Sequence, residues 1–409
     1  MTVRALKHIF GTPIQIPLHI DVLMQRVIFA VAFTFFLIIQ WQSHIYLYQR
    51  DILITDFLVT TLKALLFVLL FIKLIVQRYD LIRLILISAI AFFLLFSAVR
   101  SHDKTALWTF LFIISAQNVD WKTVGWSGIS ATSSIILLDA SANFMGRSVE
   151  YIDSRDLHDL RFSLGFSHPN LTALFVFLFV MSVYLIWRKH IVLVGLTILG
   201  ALAIIVILLR SRTEVIGLLV LLLLLPLNYL QKRCPRSRFL RFINYCICLG
   251  CDLICIISFL ASYYFEKNSS VFLILDKLFS GRLNLLHGYL HGGGLTLFGR
   301  TYSDFSTGMV NSFGSEVSFL ADNFYVRSIL LYGVIVGGIV VISFLVIQWE
   351  LAKDNSEDFY PFSVPLIMGI AESLALFADK NLMIFVFSRA LYKGLEQESL
   401  HTGPKHKLS

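Results

Sequence analysis

Runs of roughly 17 to 25 mostly apolar residues, the length a helix needs to cross a hydrocarbon core of about 30 Å, recur along this chain from Leu23 almost to its C-terminus. Inside a bilayer every backbone N–H and C=O must find a partner within the protein, which restricts spanning structures to helices and closed barrels. The alternating ten-residue strands of an outer-membrane barrel are absent. Composition agrees with the helical alternative. With 57% hydrophobic and 15% charged side chains among 409 residues, and a mean hydropathy of +0.78, too little polar surface exists to clothe a soluble globule. The expectation is an all-α polytopic membrane protein.

Apolar runs and charged breaks predict about twelve transmembrane helices, at about 22–41, 57–76, 81–98, 105–119, 124–143, 170–187, 191–209, 214–230, 243–265, 325–347, 361–378 and 381–391. Cationic loops resist translocation, so lysine and arginine set the orientation. The richest loop holds Lys232, Arg233, Arg236, Arg238 and Arg241 without an acidic residue, and Arg188 with Lys189 marks another on the same face. Counting from these places both termini in the cytoplasm, in keeping with Arg4, Lys7, Lys405 and Lys407. The net charge of +8 is thereby an orientation signal, and no basic and aromatic stripe suited to nucleic acid accompanies it. Pro13 and Pro17 interrupt the first twenty residues, so no cleavable signal peptide is expected.

The outward-facing segments on this layout include two large ones, near 144–169 and 266–324, the second lying before the tenth span. No internal repeat or low-complexity linker is evident, so residues 1–409 read as one membrane domain with an elaborated outer face. Cys246, Cys248, Cys251 and Cys255 crowd the ninth span. A straight helix turns Cys246 away from Cys251 and Cys255, and no histidine accompanies them, so they read as small packing residues and no metal or other cofactor is expected.

Candidate functional residues cluster toward the outer face. Arg210 and Arg212 lie in LLLRSRTEVIG, where snorkelling to headgroups is the plain reading and an anionic substrate the alternative, because the positive-inside rule disfavours arginine there. The stretch RFSLGFSHPN carries Arg161, His168 and Asn170 into the sixth span, with Pro169 at a position suited to helix starts. In the long loop Arg282 follows Ser280 and Gly281, a setting in which a guanidinium fork and backbone amides can hold phosphate oxygens. Asp322 and Asn323, two residues before Tyr325, suit a helix cap or a group that takes a proton from a sugar hydroxyl. Asp139 and Glu372 fall within expected spans, in their outer halves, where a carboxylate is costly unless paired or wet. No Asp-x-Asp occurs, which speaks against a glycosyltransferase that holds its donor through a divalent cation.

In order, GFSHPN (165–170), RSRT (210–213), SGRLNLLHGYL (280–290) and DNFYVRSILLYG (322–333) resemble the Wzy-type O-antigen and exopolysaccharide repeat-unit polymerases, which form a group with the O-antigen ligases. The resemblance covers about the C-terminal two thirds of the chain, through motif order more than full sequence. It implies polymerisation of polyprenyl-pyrophosphate-linked oligosaccharide repeat units on the outer leaflet of a bacterial plasma membrane, by inverting transfer without metal. Arg212 and Arg282, with Arg210 and Arg161, would then bind the pyrophosphate. Asp322 or His168 would be the general base, and Asn323, Tyr325, Asn170, Glu372 and Asp139 would support them. A repeat-unit flippase, a chain-length regulator and membrane lipids are the implied partners, and nucleic acid is not one. Two other readings remain open: a ligase that passes a finished glycan to another acceptor, and a flippase or other transporter, which would call for internal pseudo-symmetry.

Overall fold

The computed structural model describes residues 21–45, 52–146, 152–154, 160–234, 236–266, 269–278, 281–301 and 322–393. The termini expected in the cytoplasm, and parts of the loops near 144–169 and 266–324, lie outside the described residues. The elements in order are α1 (Val22–Gln42), α2 (Ile52–Val76), α3 (Leu81–Ser101), α4 (Thr105–Ser115), α5 (Trp121–Phe144), β1 (Ile152–Ser154), β2 (Leu160–Phe162), α6 (Pro169–Trp187), α7 (Ile191–Ile204), α8 (Arg212–Arg233), α9 (Arg238–Tyr263), α10 (Ser270–Leu278), α11 (Arg282–Gly293), α12 (Phe324–Lys353), α13 (Phe359–Met368) and α14 (Val386–Leu391). The strands form one antiparallel ribbon.

This is an all-α polytopic membrane architecture. Among the described residues, eight helices are long and apolar enough to cross a bilayer: α1, the Phe57–Val76 part of α2, α3, α6, α7 with its continuation to Leu209, α8, α9 and α12. Large side chains such as Phe57, Phe71, Ile85, Leu196 and Ile207 stand exposed on these helices, as a hydrocarbon solvent permits and water does not. The other four expected spans correspond to shorter or more polar segments. The run near 105–119 is the 11-residue α4, and 124–143 lies in the 24-residue α5, which is rich in serine, threonine and glycine. The run near 361–378 stops being α-helical at Met368, and 381–391 divides into a 3-10 turn (Leu382–Phe385) and α14.

The chain forms two compact units, Met1–Ala89 with Leu111–Ser211 and Phe385–Ser409, and Ile90–Phe110 with Arg212–Ile384. In the first unit α1 packs on α2 and α5, α5 on α6, and α6 on α7. The polar residues of α5 explain that order. Gly125, Ser127, Gly128, Ala131, Thr132 and Ile135 are buried at helical spacing, and a side chain at Gly125 would lie 2.7 Å from Ile186 and 2.8 Å from the Ser182 carbonyl, so small residues let backbones approach. Phe29, Phe33, Phe36, Phe112 and Phe385 fill the space beside α1 with edge-to-face and stacked rings, Phe33 and Phe385 at 5.0 Å.

In the second unit α9 packs on α11, α12 and α13, and α13 on α8. The Met368 thioether packs on Gly217, where an added Cβ would have to push it aside. The long helix α12 is broken at Gly333, whose φ of 83° and ψ of 167° are not helical. The segment after α11 fills the break. Val334 and Ile335 donate their N–H groups to the carbonyls of Thr296 and Leu297 at 2.8 and 3.1 Å, which satisfies backbone that the break would leave orphaned. Gly299, at φ 89°, closes this clasp against the Leu331 carbonyl.

Candidate functional site

Apart from Arg212, the predicted site residues fall into one group in each unit. In the first unit, α7 ends in a π-turn (Ile205–Leu209), after which Arg210 takes a left-handed φ of 49°. The helix ends there, which leaves the Leu209 carbonyl without a helical partner, and Arg161 from β2 donates Nε–H to it at 3.0 Å. Arg161 is 1% exposed, and its Nη2 also donates to Asn170 Oδ1. Ser211 Oγ donates to the same oxygen at 3.1 Å. Thus Asn170 ties the HPN stretch to the RSR turn, with Arg161 as the buried bolt. Arg210 itself is exposed. Asp139 of α5 packs its carboxylate on Gly165, at φ 85°, in the turn that leads to His168.

His168 is the N-cap of α6, and its Nδ1 accepts from the Asn170 N–H at 3.1 Å. That bond has a chemical consequence. A neutral imidazole whose Nδ1 accepts carries its proton on Nε2, so the remaining nitrogen is a donor.

In the second unit, Arg282 opens α11 directly after Gly281, whose left-handed φ of 80° turns the chain into the helix. Gly281 is held by the Asp276 carbonyl at 2.8 Å, and Asp276 Oδ1 accepts from the Asn284 N–H at 3.0 Å. The inner face of α11, Leu286, Tyr289 and Leu290, packs with Val326 and Leu330 of α12. From this seat the guanidinium reaches three acceptors. Nη1 donates to the Ala371 carbonyl, and Nη2 lies 3.2 Å from Asp322 Oδ2 and 3.2 Å from Glu372 Oε1.

Asn323, Phe324 and Tyr325, with Arg282, explain why Glu372 is there. Beyond α13 the chain turns through Gly369 to Glu372, and its carbonyls need donors. Tyr325 Oη donates to Leu366 O at 2.8 Å, Phe324 N–H to Gly369 O at 2.8 Å, Asn323 Nδ2 to Ile370 O at 2.8 Å, and Arg282 to Ala371 O. Asn323 also caps α12, its Oδ1 accepting from Val326 N–H at 3.0 Å. One short motif therefore straps the turn and presents Glu372 to Arg282. Glu372 lies in this non-helical turn, outside the spanning helices. Burial holds its carboxyl above the ordinary range, with Glu214 and Asp322 raising it further and Arg282 and Lys380 opposing. Among the described residues, Glu372 thus shares its surroundings with two other carboxylates, Glu214 and Asp322, and two cations, Arg282 and Lys380.

Arg212, at the first turn of α8, is exposed. Glu214, in the same turn, is fully buried and belongs to the Glu372 cluster, a role the sequence reading did not give it. An acid in the first turn of a membrane helix, beside two arginines, was the available signal. Also unforeseen is a second charged group in this unit. Asp103 accepts from Tyr332 Oη at 2.9 Å and faces Arg327 Nη2 at 3.8 Å, while Arg327 and Lys380 both lie over the Phe377 ring. Arg327 follows Asn323 by four residues, one helical turn, which places it on the motif's own face. Cys248 and Cys251 are buried and hydrogen-bond with Gln348 of α12.

Compared with known proteins, the chain matches no family model, no curated protein and no solved structure at a significant level.

Proposed function

We propose that this protein lengthens a polyprenyl-pyrophosphate-linked glycan at the outer face of a bacterial plasma membrane, joining oligosaccharide repeat units by inverting transfer. In this reading α4, α5, α13 and the 382–391 segment complete about twelve crossings, both termini are cytoplasmic, and Arg282 faces outward. The observation that carries the proposal is the meeting of Arg282, Asp322 and Glu372, which come from three separate segments. A guanidinium placed beside carboxylates in partly dry surroundings has the two chemistries the transfer needs. The acceptor hydroxyl oxygen attacks the anomeric carbon while the bond to the pyrophosphate oxygen breaks, and the pyrophosphate leaves with the electron pair. Arg282 stabilises the charge that gathers on the leaving group, and Arg212 supplies a second guanidinium. The hydroxyl proton passes to a carboxylate. His168 is the weaker base because its capping bond leaves the proton on the other ring nitrogen, which favours Asp322.

The test is reconstitution with a lipid-linked repeat unit, with products sized by gel. Arg282→Ala and Arg212→Ala should each lower the rate of lengthening by about 10² to 10³, the usual loss when one preorganised charge donor is removed. Near-normal chains from both variants would refute the assignment. Movement of the lipid-linked unit across the bilayer without lengthening would favour a transporter, and transfer only to a different acceptor would favour a ligase.

A further inference from the structure

Arg282 Nη2 already has two carboxylates on it, so a diphosphate that takes this nitrogen must displace a carboxylate. Among the described residues, the charged groups that face Glu372 are Glu214 from α8, Arg282 from α11, Asp322 ahead of α12 and Lys380 from the turn after the Leu374–Leu376 turn. Carboxylates outnumber cations among these five side chains, and Glu372 and Glu214 are both buried. A dianion that takes Arg282 Nη2 from Glu372 would leave that carboxylate buried without its cation unless a proton came with it. Of the two carboxylates on Arg282, Glu372 is the more enclosed, its side chain 9% exposed against 31% for Asp322.

We propose that Glu372 is a proton-exchanging positioning residue, and that diphosphate binding at Arg282 is coupled to the uptake of one proton by Glu372. The inference rests on the function proposed above and adds the means by which the anion gains access. With Glu372 ionised, the guanidinium is held between Glu372 and Asp322. When the diphosphate arrives, one proton from water joins the Glu372 carboxylate, Arg282 Nη2 exchanges that oxygen for a phosphate oxygen, and the Ala371 carbonyl and Asp322 keep the fork aimed. The proton offsets one of the two negative charges that the diphosphate diester brings, and the guanidinium released from Glu372 faces the other. Burial and the neighbouring Glu214 already favour the protonated form, so the exchange starts from a carboxyl close to giving up its charge.

The sign follows from linkage. Raising the pH ionises Glu372, which reclaims Arg282 and repels the anion, so affinity falls as pH rises, by at most about tenfold per pH unit for a single proton. The probe is a pyrophosphate diester with one octyl and one methyl group, whose own charge is fixed across the range because diesters carry no near-neutral proton. Calorimetry on the full-length detergent-solubilised protein, in buffers of different ionisation enthalpy, reads the proton count without any variant. Wild type should take up close to one proton per diester in the pH range where Glu372 is ionised, and bind more weakly as pH rises. Glu372→Gln should bind with pH-independent affinity and no uptake, while Arg282→Ala should not bind at any pH.

Binding that needs Arg282 but takes up no proton in wild type would overturn this inference and leave the proposed function standing. Proton uptake that survives in a folded Glu372→Gln protein would also overturn it and point to Glu214. Equal binding, or none, in wild type and Arg282→Ala would overturn both.

Discussion

Replacing Gly333 by alanine tests whether the break in α12 is built into the fold. The residue sits at φ 83°, where a Cβ costs about 1–2 kcal/mol. The added carbon would also come closer than 3.0 Å to Gly299 N and Leu297 O, which are backbone atoms and cannot swing aside as a side chain can. The 296–299 segment must then withdraw, and with it go the Val334 and Ile335 hydrogen bonds, each worth about 0.5–1.5 kcal/mol. Together the strain and two lost bonds come to about 2–5 kcal/mol. Gly338→Ala is the control, five positions on in the same helix, with nothing within 4 Å of the added carbon and no positive φ. There alanine should be neutral or stabilise by up to about 1 kcal/mol through helix propensity. Thermal melting in detergent gives the difference, and hydrogen exchange at the Val334 and Ile335 amides should rise only in Gly333→Ala. If both variants melt together, or if the amides stay protected in Gly333→Ala, the account of the clasp is wrong.

The polar ties in each unit give further expectations. Asn170→Ala strips the shared acceptor from Arg161 and Ser211, and should destabilise by about 1–3 kcal/mol because the guanidinium remains buried; Asn170→Asp, which keeps the acceptor oxygen, should retain most of the melting temperature, and an unchanged Asn170→Ala protein would contradict this. Asp103→Ala removes the partner of Tyr332, a facing charge for Arg327 and the Thr105 N–H acceptor, so it should cost at least about 1 kcal/mol more than Tyr332→Phe, which deletes one hydrogen bond. Equal melting temperatures for these two variants would show that Asp103 does no more than hold the tyrosine.

Length and hydropathy made the spanning helices legible, since α1, α3, α6, α7, α8, α9 and α12 lie where runs of apolar residues predict them. What hydropathy could not show is where a run stops being helical. The segment beyond Met368 is apolar enough to continue, yet donors from Asn323, Phe324, Tyr325 and Arg282 take its carbonyls one after another. Those donors lie some tens of residues away in sequence, and no local window contains both partners. The same limit applies to the clasp. Leu297-Phe298-Gly299 and Leu331-Tyr332-Gly333 each look like an aromatic and a glycine in an apolar stretch, and only their pairing gives the glycines a purpose. Among candidate site residues, Arg282, Asp322 and Glu372 were chosen separately for their charge at one level of the layout, and they meet. Asn170 reads from sequence as helix-entry chemistry and His168 as either a structural histidine or a base, and the structure has both capping and tying α6.

The carboxylate excess around Arg282 also bears on the choice between an enzyme and a carrier. A buried acid that shares a cation and changes its proton with the ligand is useful to either, so proton uptake by itself favours neither. What differs is the need for a second reactant. A carrier's site must release its cargo unchanged on the other side, and Arg282 need only loosen its hold. An enzyme must bring a nucleophilic hydroxyl to the anomeric carbon beside the same guanidinium, and a carboxylate within reach of that hydroxyl is then required. Under the proposed function Asp322 would be that carboxylate, since its Oδ2 faces Arg282 and a carboxylate has a second oxygen to accept a proton. Asp322→Asn keeps the shape and a contact to Arg282 while removing the proton acceptor. That substitution should therefore spare diester binding and abolish lengthening if the site is catalytic, whereas a site that only carries its ligand would lose neither binding nor translocation.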